Sequence, residues 1–167
     1  EGWQVDEALE QPQHAATATA WFEHRLSKAV ETLDVQFNQY RLSDALMNVY
    51  KLFWDEFASW LLEIIKPAYG RPIDRQTYRK AHHFLEALLK LLHPFMPFIT
   101  EEIWQRMDAR KDGESIMISL QPEAGTINNE LLEQFEQVKE VSTKIRSIRK
   151  DKDIPQKEEV ALQVKAG

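Results

Sequence analysis

The chain contains 167 residues, of which 43% are hydrophobic and 29% are charged, so it can bury a core and is too apolar to be disordered throughout. It has no cysteine, which excludes disulfide bonds, cysteine-ligated zinc sites and thiol catalysis. The net charge of -6 argues mildly against a non-specific nucleic-acid binder, and no apolar run is long enough to cross a membrane.

The first half of the chain predicts two helices. Residues 1–18 show no hydrophobic period and are expected to form a loose lead-in, with Thr19 capping a helix over 20–37. A second helix is predicted over 44–66. It ends there because Pro67 disfavours helical geometry in the residue before it. Two apolar rows cover more than half of its circumference, which places it in the middle of a bundle. The residues expected to be buried on this helix are Leu46, Phe53, Phe57, Trp60 and Ile64.

The second half predicts three more helices. Asp74 is expected to cap a helix over 74–92, since its carboxylate can accept from a free N–H of the first turn. A corner with two prolines leads to a fourth helix over 97–109, and a fifth helix is predicted over 129–150. The segment 115–119, which lies between the last two helices, is expected to be extended.

Near the C-terminus the hydrophobic period changes to two, at Val160, Leu162 and Val164, which predicts a strand. We therefore predict an all-α fold, an antiparallel bundle of about five helices with a short C-terminal strand.

The start at Glu1, without a signal-peptide pattern, leads us to expect an excised piece of a longer protein. The predicted organisation is a lead-in segment over 1–18, a helical domain over 19–152 and the start of a truncated small mixed subdomain over 153–167.

Candidates for catalysis and metal binding are weak. His82 and Glu86 lie one helical turn apart, but no second histidine converges on them at the spacing of a zinc-binding helix. Glu101 and Glu102 are neighbours, and neighbouring side chains point about 100° apart on a helix and do not share a proton. Phosphate-binding glycine motifs are missing. We predict no catalytic residue, no metal site and no cofactor in this chain.

Two clusters of basic residues stand out in an otherwise acidic chain. The first leads into the third helix, and the second ends the fifth helix. Basic clusters on helices favour contacts to a nucleic-acid backbone. Cations also favour helix C-termini because of the helix dipole, so both interpretations stay open for the second cluster. The first cluster contains Arg71, Arg75, Arg79 and Lys80, and the second contains Lys139, Lys144, Arg146, Arg149, Lys150 and Lys152.

Three segments resemble the anticodon-binding domain of class I valyl-tRNA synthetases. Leu52–Pro67 is similar to the second-helix signature of anticodon-binding domains of class I aminoacyl-tRNA synthetases in general. Leu91–Trp104, which contains the sequence HPFMPFITEEIW, resembles the valyl form of the next segment. Ile145–Lys150, followed by Ile154 and Pro155, is similar to the later helix and to the entry to a small mixed domain. The match covers about residues 19 to 164.

The resemblance implies a parent enzyme that attaches valine to its tRNA, with ATP and magnesium in a separate catalytic domain. The HIGH-type and KMSKS-type signatures of that domain are absent from this chain, so we expect it to be inactive by itself. A cytoplasmic monomer is implied, with valine tRNA and the remaining synthetase domains as partners and no membrane contact. Two alternatives remain open, the equivalent domain of an isoleucyl or leucyl enzyme and a purely structural helical interaction module.

The predicted RNA-binding residues lie on two helices. On the second helix, Arg41 and Lys51 supply donors, Asp55 can accept from an exocyclic amine, and Trp54 offers a stacking face. Asn48 lies on the same polar strip. The local alternative is that Trp54 belongs to the core and that Asp55 pairs with Lys51. The residues expected to contact the phosphate backbone are Arg75, Arg79 and Lys80.

Overall fold

The computed structural model describes residues 3–155, 158–159 and 161, and this part of the chain is mostly helical. The chain divides into two compact units, Glu1–Asn128 and Asn129–Gly167. The division lies within the predicted helical domain, whose boundaries remain a prediction. The elements in order are β1 (Val5–Asp6), α1 (Gln13–Asn38), α2 (Leu42–Lys51), a π-helical segment (Leu52–Leu61), α3 (Leu62–Ile65), β2 (Ile73–Asp74), α4 (Arg75–Leu92), α5 (Pro97–Met107), a 3₁₀ helix (Ile116–Ile118) and α6 (Asn129–Asp151).

The prediction that Thr19 caps the first helix is wrong, because α1 begins at Gln13. The Thr19 hydroxyl instead donates to the carbonyl of Ala15, at 2.9 Å, from a buried position inside the helix. Ala15 and Ala18 are both buried. Small residues carry little hydrophobic period, but alanine is the strongest helix former, so this stretch continues the helix toward the N-terminus.

The second predicted helix exists, but its buried row differs from the predicted one. Of the five residues expected in the core only Phe57 is fully buried. Leu46 is exposed, while Phe53, Trp60 and Ile64 are half-buried. The difference arises because α2, the π-helical segment and α3 form one run in which the helical period changes. The buried residues of this run are Ala45, Val49, Leu52, Phe57, Leu61 and Ile65.

An aromatic cluster joins three parts of the bundle. The ring of Phe22 on α1 lies 5.5 Å from that of Phe57 and 5.0 Å from that of Phe84 on α4, measured between ring centroids. Trp21 and Phe22 are completely buried. Tilted aromatic pairs at this distance are favourable beyond the area that they bury. The core of the first unit therefore lies where α1, the π-helical segment and α4 meet.

Polar contacts define the direction of the helices around this core. Arg25 on α1 lies 3.6 Å from the carboxylate of Glu56, and Asn48 on α2 donates to the Ala29 carbonyl at 3.2 Å. The later residue of α1 thus faces the earlier residue of the second helical run, so the two are antiparallel. Lys80 on α4 pairs with Glu23 at 2.9 Å.

The predicted cap of the third helix is confirmed. The backbone N–H of Thr77 donates to the Asp74 carboxylate at 2.8 Å, and Asp74 is buried. The same residue closes a short parallel pairing in which β1 lies beside β2, with Asp6 opposite Asp74. The cap and the β pairing fix the point where α4 begins.

A carboxylate holds α5 to α4. The indole N–H of Trp104 donates to Glu86 at 3.0 Å, and the guanidinium of Arg110 lies 3.7 Å from the centre of the Trp104 ring. Burial is the largest influence on the pKa of Glu86 and raises it. The Trp104 hydrogen bond and the charges of Lys90 and Arg110 together outweigh it and leave the pKa below its ordinary value.

The segment 115–119 differs from the extended conformation that the sequence predicts, because residues 116–118 form a 3₁₀ turn. Glu101 causes this local order, since its carboxylate accepts from the Ser115 hydroxyl at 2.7 Å and from the Ile116 N–H at 3.1 Å. Ile116 is thereby buried against Leu89 and Trp104.

The second unit contains α6, whose bounds agree with the predicted helix. Arg149 closes its C-terminal end by donating to the carbonyls of Pro155 and Glu158, each at 2.8 Å. The predicted strand at Val160, Leu162 and Val164 lies outside the described residues. Among the described helices none is long and apolar enough to cross a membrane.

We predict that Phe57→Ala lowers the free energy of unfolding by about 3–5 kcal/mol, because it leaves a cavity beside the Phe22 ring. Phe98→Ala is the control, since Phe98 is 91% exposed and its loss should change stability by less than about 0.5 kcal/mol. Urea unfolding followed by circular dichroism measures both. Equal destabilisation by the two substitutions would contradict the placement of the core.

We predict that Glu86→Gln reduces the dependence of stability on acid pH. The folded-state pKa of Glu86 is lowered, so its ionised form stabilises the fold above the unfolded pKa of about 4.3, and this contribution is lost as the pH falls through the folded value. The difference in unfolding free energy between wild type and variant should therefore be larger at pH 7 than at pH 3. Urea midpoints at the two pH values measure it, and parallel profiles would refute the assignment.

Candidate nucleic-acid interface

Three of the predicted RNA-binding residues share the outer side of the second helical run. Lys51, Trp54 and Asp55 are all exposed, and Trp54 keeps 58% of its surface in contact with solvent. The interpretation of Trp54 as a core residue is therefore wrong. We call these three residues the loop-base group. Together they offer a cation, an aromatic face and a hydrogen-bond acceptor, which is the chemistry that unpaired bases require.

Arg41 and Asn48 differ from the loop-base group because both are already engaged within the protein. The Arg41 Nε donates to the Asp44 carboxylate at 2.7 Å. This exposed pair joins the residue before α2 to the first turn of α2. The Asn48 amide donates to the Ala29 carbonyl at 3.2 Å and to Gln36 at 3.4 Å. Asn48 therefore helps to hold α2 against α1, and its predicted contact with a base would compete with these bonds.

The basic residues at the start of α4 form a second surface, which we call the α4 cation group. It consists of Arg75, Arg79 and Lys80. Arg75 pairs with Glu7 at 2.9 Å, and Lys80 pairs with Glu23 at the same distance. Exposed ion pairs of this kind contribute little to stability, so a phosphate could replace the carboxylate partner. Arg79 is exposed and lines an open pocket of about 430 Å³.

The structure does not gather all eight predicted residues into one cluster. Arg41 follows the end of α1 at Asn38, whereas Lys80 lies beside Glu23 in its first half. At 1.5 Å per residue these two points are about 22 Å apart along α1. Arg41 is therefore separated from the α4 cation group. Glu56, next to Asp55, pairs with Arg25 at nearly the axial level of Glu23, but residues two apart on α1 point about 200° from each other, so this contact does not place the loop-base group beside Lys80.

Sequence reasoning missed Tyr50 as a member of the outer surface. It is not among the predicted binding residues, yet 52% of its surface is exposed. Trp54 follows it by four residues, so both aromatic side chains project from one side of the helical run. Leu52 and Phe57 are both buried although they lie five residues apart, and an uninterrupted α-helix would point them about 140° away from each other, so the exposed side of the run follows from the structure and not from the sequence period.

The second basic cluster, on α6, is partly neutralised within its own helix. Lys139 pairs with Glu136 at 2.7 Å and Lys144 with Glu140 at 2.6 Å. The hydrogen bond from Lys144, and then its charge, lower the pKa of Glu140. Arg149 is committed to the C-terminal carbonyls. Local partners thus engage Lys139, Lys144 and Arg149 of this cluster.

His82 and His93 each have a local partner. His82 lies 3.5 Å from the Asp108 carboxylate, and the His93 ring is 2.8 Å from the Thr100 hydroxyl. Within the described part of the chain no three histidine, aspartate or glutamate side chains are placed to hold a metal ion. The side chains of Glu101 and Glu102 take separate partners, the first Ser115 and the second Arg106.

Comparison with known proteins gives consistent matches. The family model of the anticodon-binding domain of tRNA ligases matches residues 19–166. Valine–tRNA ligases from Parabacteroides distasonis and Phocaeicola vulgatus are 51% and 55% identical over 98% of this chain. The same-named protein from Carboxydothermus hydrogenoformans is 37% identical over 83% of the chain. The chain spans less than a fifth of the length of these relatives.

The helical architecture, with a core between α1, the π-helical segment and α4, fits this match, which extends over most of the described bundle. The exposed loop-base group adds side chains suited to unpaired bases on one surface of that architecture. The chain belongs to the anticodon-binding domain family of tRNA ligases.

Proposed function

We propose that this chain binds the anticodon stem-loop of valine tRNA, as the anticodon-binding domain of a valine–tRNA ligase. The observation that carries the proposal is the loop-base group, in which the half-exposed Trp54 lies beside Lys51 and Asp55. A tryptophan indole loses favourable burial when it is left in water, so its exposure beside two charged residues favours a stacking role. The high identity to valine–tRNA ligases supports valine as the amino acid.

Two kinds of contact divide the proposed work. The α4 cation group and other exposed cations bind the phosphate backbone of any tRNA, because this attraction does not depend on sequence. The loop-base group reads bases that the anticodon loop leaves unpaired, by stacking and by hydrogen bonds to their edges. Arg41 and Asn48 belong to the proposed surface as secondary contacts, since each would first release a partner within the protein.

The remainder of the ligase supplies the chemistry. We propose that ATP and magnesium bind in a catalytic domain outside this chain, that the ligase is a cytoplasmic monomer, and that this chain contacts its other domains. The relatives, more than five times as long as this chain, leave room for those domains. No catalytic residue is proposed in the chain itself.

A contact surface for another domain is favoured by one observation. After α5 three large apolar side chains are more than 70% exposed, namely Met117, Ile118 and Leu120. An apolar run of this kind commonly marks an interaction site. A purely structural module would use this surface and bind RNA no better than its net charge allows, which the following tRNA measurements distinguish.

We predict that Arg79→Ala weakens binding of valine tRNA and of a non-cognate tRNA to the same extent. It should reduce the slope of log affinity against log salt concentration by about 0.7, because one phosphate contact fewer releases less counterion. Fluorescence anisotropy across a salt series measures both quantities. Arg106→Ala is the control, since Arg106 is exposed on α5 and outside both groups. An unchanged slope for Arg79→Ala would exclude the phosphate contact.

We predict that Lys51→Ala and Asp55→Ala reduce the preference for valine tRNA. Each lost base contact should cost the cognate complex about 1–3 kcal/mol, if loop bases behave as base edges in DNA grooves do, and should leave the non-cognate complex almost unchanged. The ratio of the two dissociation constants is the measured quantity. Equal losses for both tRNAs would assign these residues to backbone binding.

We predict that the purified chain does not form valyl-adenylate, because it lacks both catalytic signatures. Valine-dependent pyrophosphate exchange should equal the buffer control, and mischarged tRNA should not be hydrolysed. A full-length valine–tRNA ligase under the same conditions is the positive control. Exchange above the buffer level would show that the chain contains catalytic machinery.

A further inference from the structure

The π-helical segment is the most unusual local structure in the described chain. It covers the ten residues Leu52–Leu61, and at its end the N–H of Leu62 donates to the carbonyl of Phe57, five residues earlier. π-Helical geometry is rare, usually lasts a single turn and occurs frequently at functional sites. Here it interrupts a helical run whose remaining parts, α2 and α3, are α-helical.

The positions of the buried residues explain why the helix changes. Leu52 is completely buried and Phe57 is 4% exposed, although they are five residues apart. In an α-helix such residues point about 140° away from each other, so one of them would face solvent. A wider turn returns both to the core side. Four residues rather than three then lie between the two core positions.

The extra residue is carried on the solvent side of this turn. The first and last of the four residues between Leu52 and Phe57 contact the protein. The ring centroid of Phe53 lies 5.9 Å from that of Phe57, and the Glu56 carboxylate lies 3.6 Å from the Arg25 Nε. The two central residues, Trp54 and Asp55, are exposed. The widened turn thus presents an aromatic face and a carboxylate side by side.

Ser59 makes a hydrogen bond that is specific to this turn. Its hydroxyl donates to the carbonyl of Trp54 at 2.8 Å, five residues earlier. In an α-helix a serine side chain reaches the carbonyl three or four residues before it, so this contact belongs to the π geometry. It ties the backbone of Trp54 to the following turn without burying either side chain.

We propose that the π-helical segment positions Trp54 and Asp55 to bind one unpaired RNA base that carries an exocyclic amine, with Ser59 as a positioning residue. The indole stacks on the face of the base, and the carboxylate accepts from its amine. This inference rests on the proposed function, because it names the part of the surface that reads the loop. A turn that only accommodates an inserted residue would make no difference to RNA binding.

Deletion of Phe53 tests the geometry while it keeps both contact residues. The deletion leaves three residues between Leu52 and Phe57, which restores the spacing of a continuous α-helix and rotates Trp54 and Asp55 relative to α2. We expect a cooperatively folded protein whose affinity for valine tRNA falls about tenfold, while affinity for a non-cognate tRNA changes less than about twofold.

Phe53→Ala is the matched control, because it removes the same ring and keeps the extra residue. We expect it to retain the wild-type preference between the two tRNAs, whatever it does to thermal stability. If the deletion and Phe53→Ala both keep the wild-type preference, or both lose it equally, the inference about the π geometry is overturned.

Ser59 provides a second test that does not depend on the deletion variant folding. Ser59→Ala removes the hydrogen bond at an exposed position and should reduce the preference for valine tRNA by about threefold to tenfold, within the range of one neutral hydrogen bond. Ser59→Thr keeps the hydroxyl and should restore the preference. Equal preference in wild type, Ser59→Ala and Ser59→Thr would overturn the positioning role, while Trp54→Ala tests the stacking contact directly.

The wild-type protein separates failure of this inference from failure of the proposed function. If wild type does not prefer valine tRNA over the non-cognate tRNA, the proposed function is wrong and the inference falls with it. If wild type shows the preference and Trp54→Ala loses it while the deletion of Phe53 and Ser59→Ala do not, the surface is correct and the π geometry is only an accommodation.

Discussion

The burial of Phe57 beside Phe22 is the constraint on which the rest of the first unit depends. The ring contact joins the middle of the second helical run to α1, and Phe22 passes the contact on to Phe84 of α4. Four residues lie between Leu52 and Phe57, so both reach the core only because the helical turn between them is widened. The core and the outer surface are therefore coupled, because the same widened turn leaves Trp54 and Asp55 exposed on the solvent side.

Polar groups orient the elements around this cluster. Buried Asp74 both caps α4 and lies in the β1–β2 pairing. Where α4 meets α5, Glu86 accepts a hydrogen bond from Trp104 and pairs with Lys90 and Arg110. Both carboxylates accept hydrogen bonds from donors within the fold. Arg75 and Lys80 instead make ion pairs near the surface, which contribute little to stability, and this favours their proposed role in binding RNA.

Much of the helical architecture could be predicted from the sequence. Proline, the Asp74 cap and the hydrophobic period determined where most helices begin and end, because these signals act within a few residues of each other. The start of α1 was misplaced since alanine carries no amphipathic signal, and Ser115–Ser119 was misread since its conformation depends on the side chain of Glu101, outside that segment.

For the candidate site, the sequence by itself determined the residue types and the family: the cations at the start of α4, the Trp54–Asp55 pair, and the segments that resemble anticodon-binding domains. Only the tertiary structure decided which side chains face solvent. A regular 3.6-residue period places Leu46, Phe53 and Trp60 in the core, but the packing of Phe57 on Phe22 selects a different row. The free energy gained by burying one aromatic cluster exceeds the local preference for an α-helical turn, and that balance depends on contacts between residues distant in the chain.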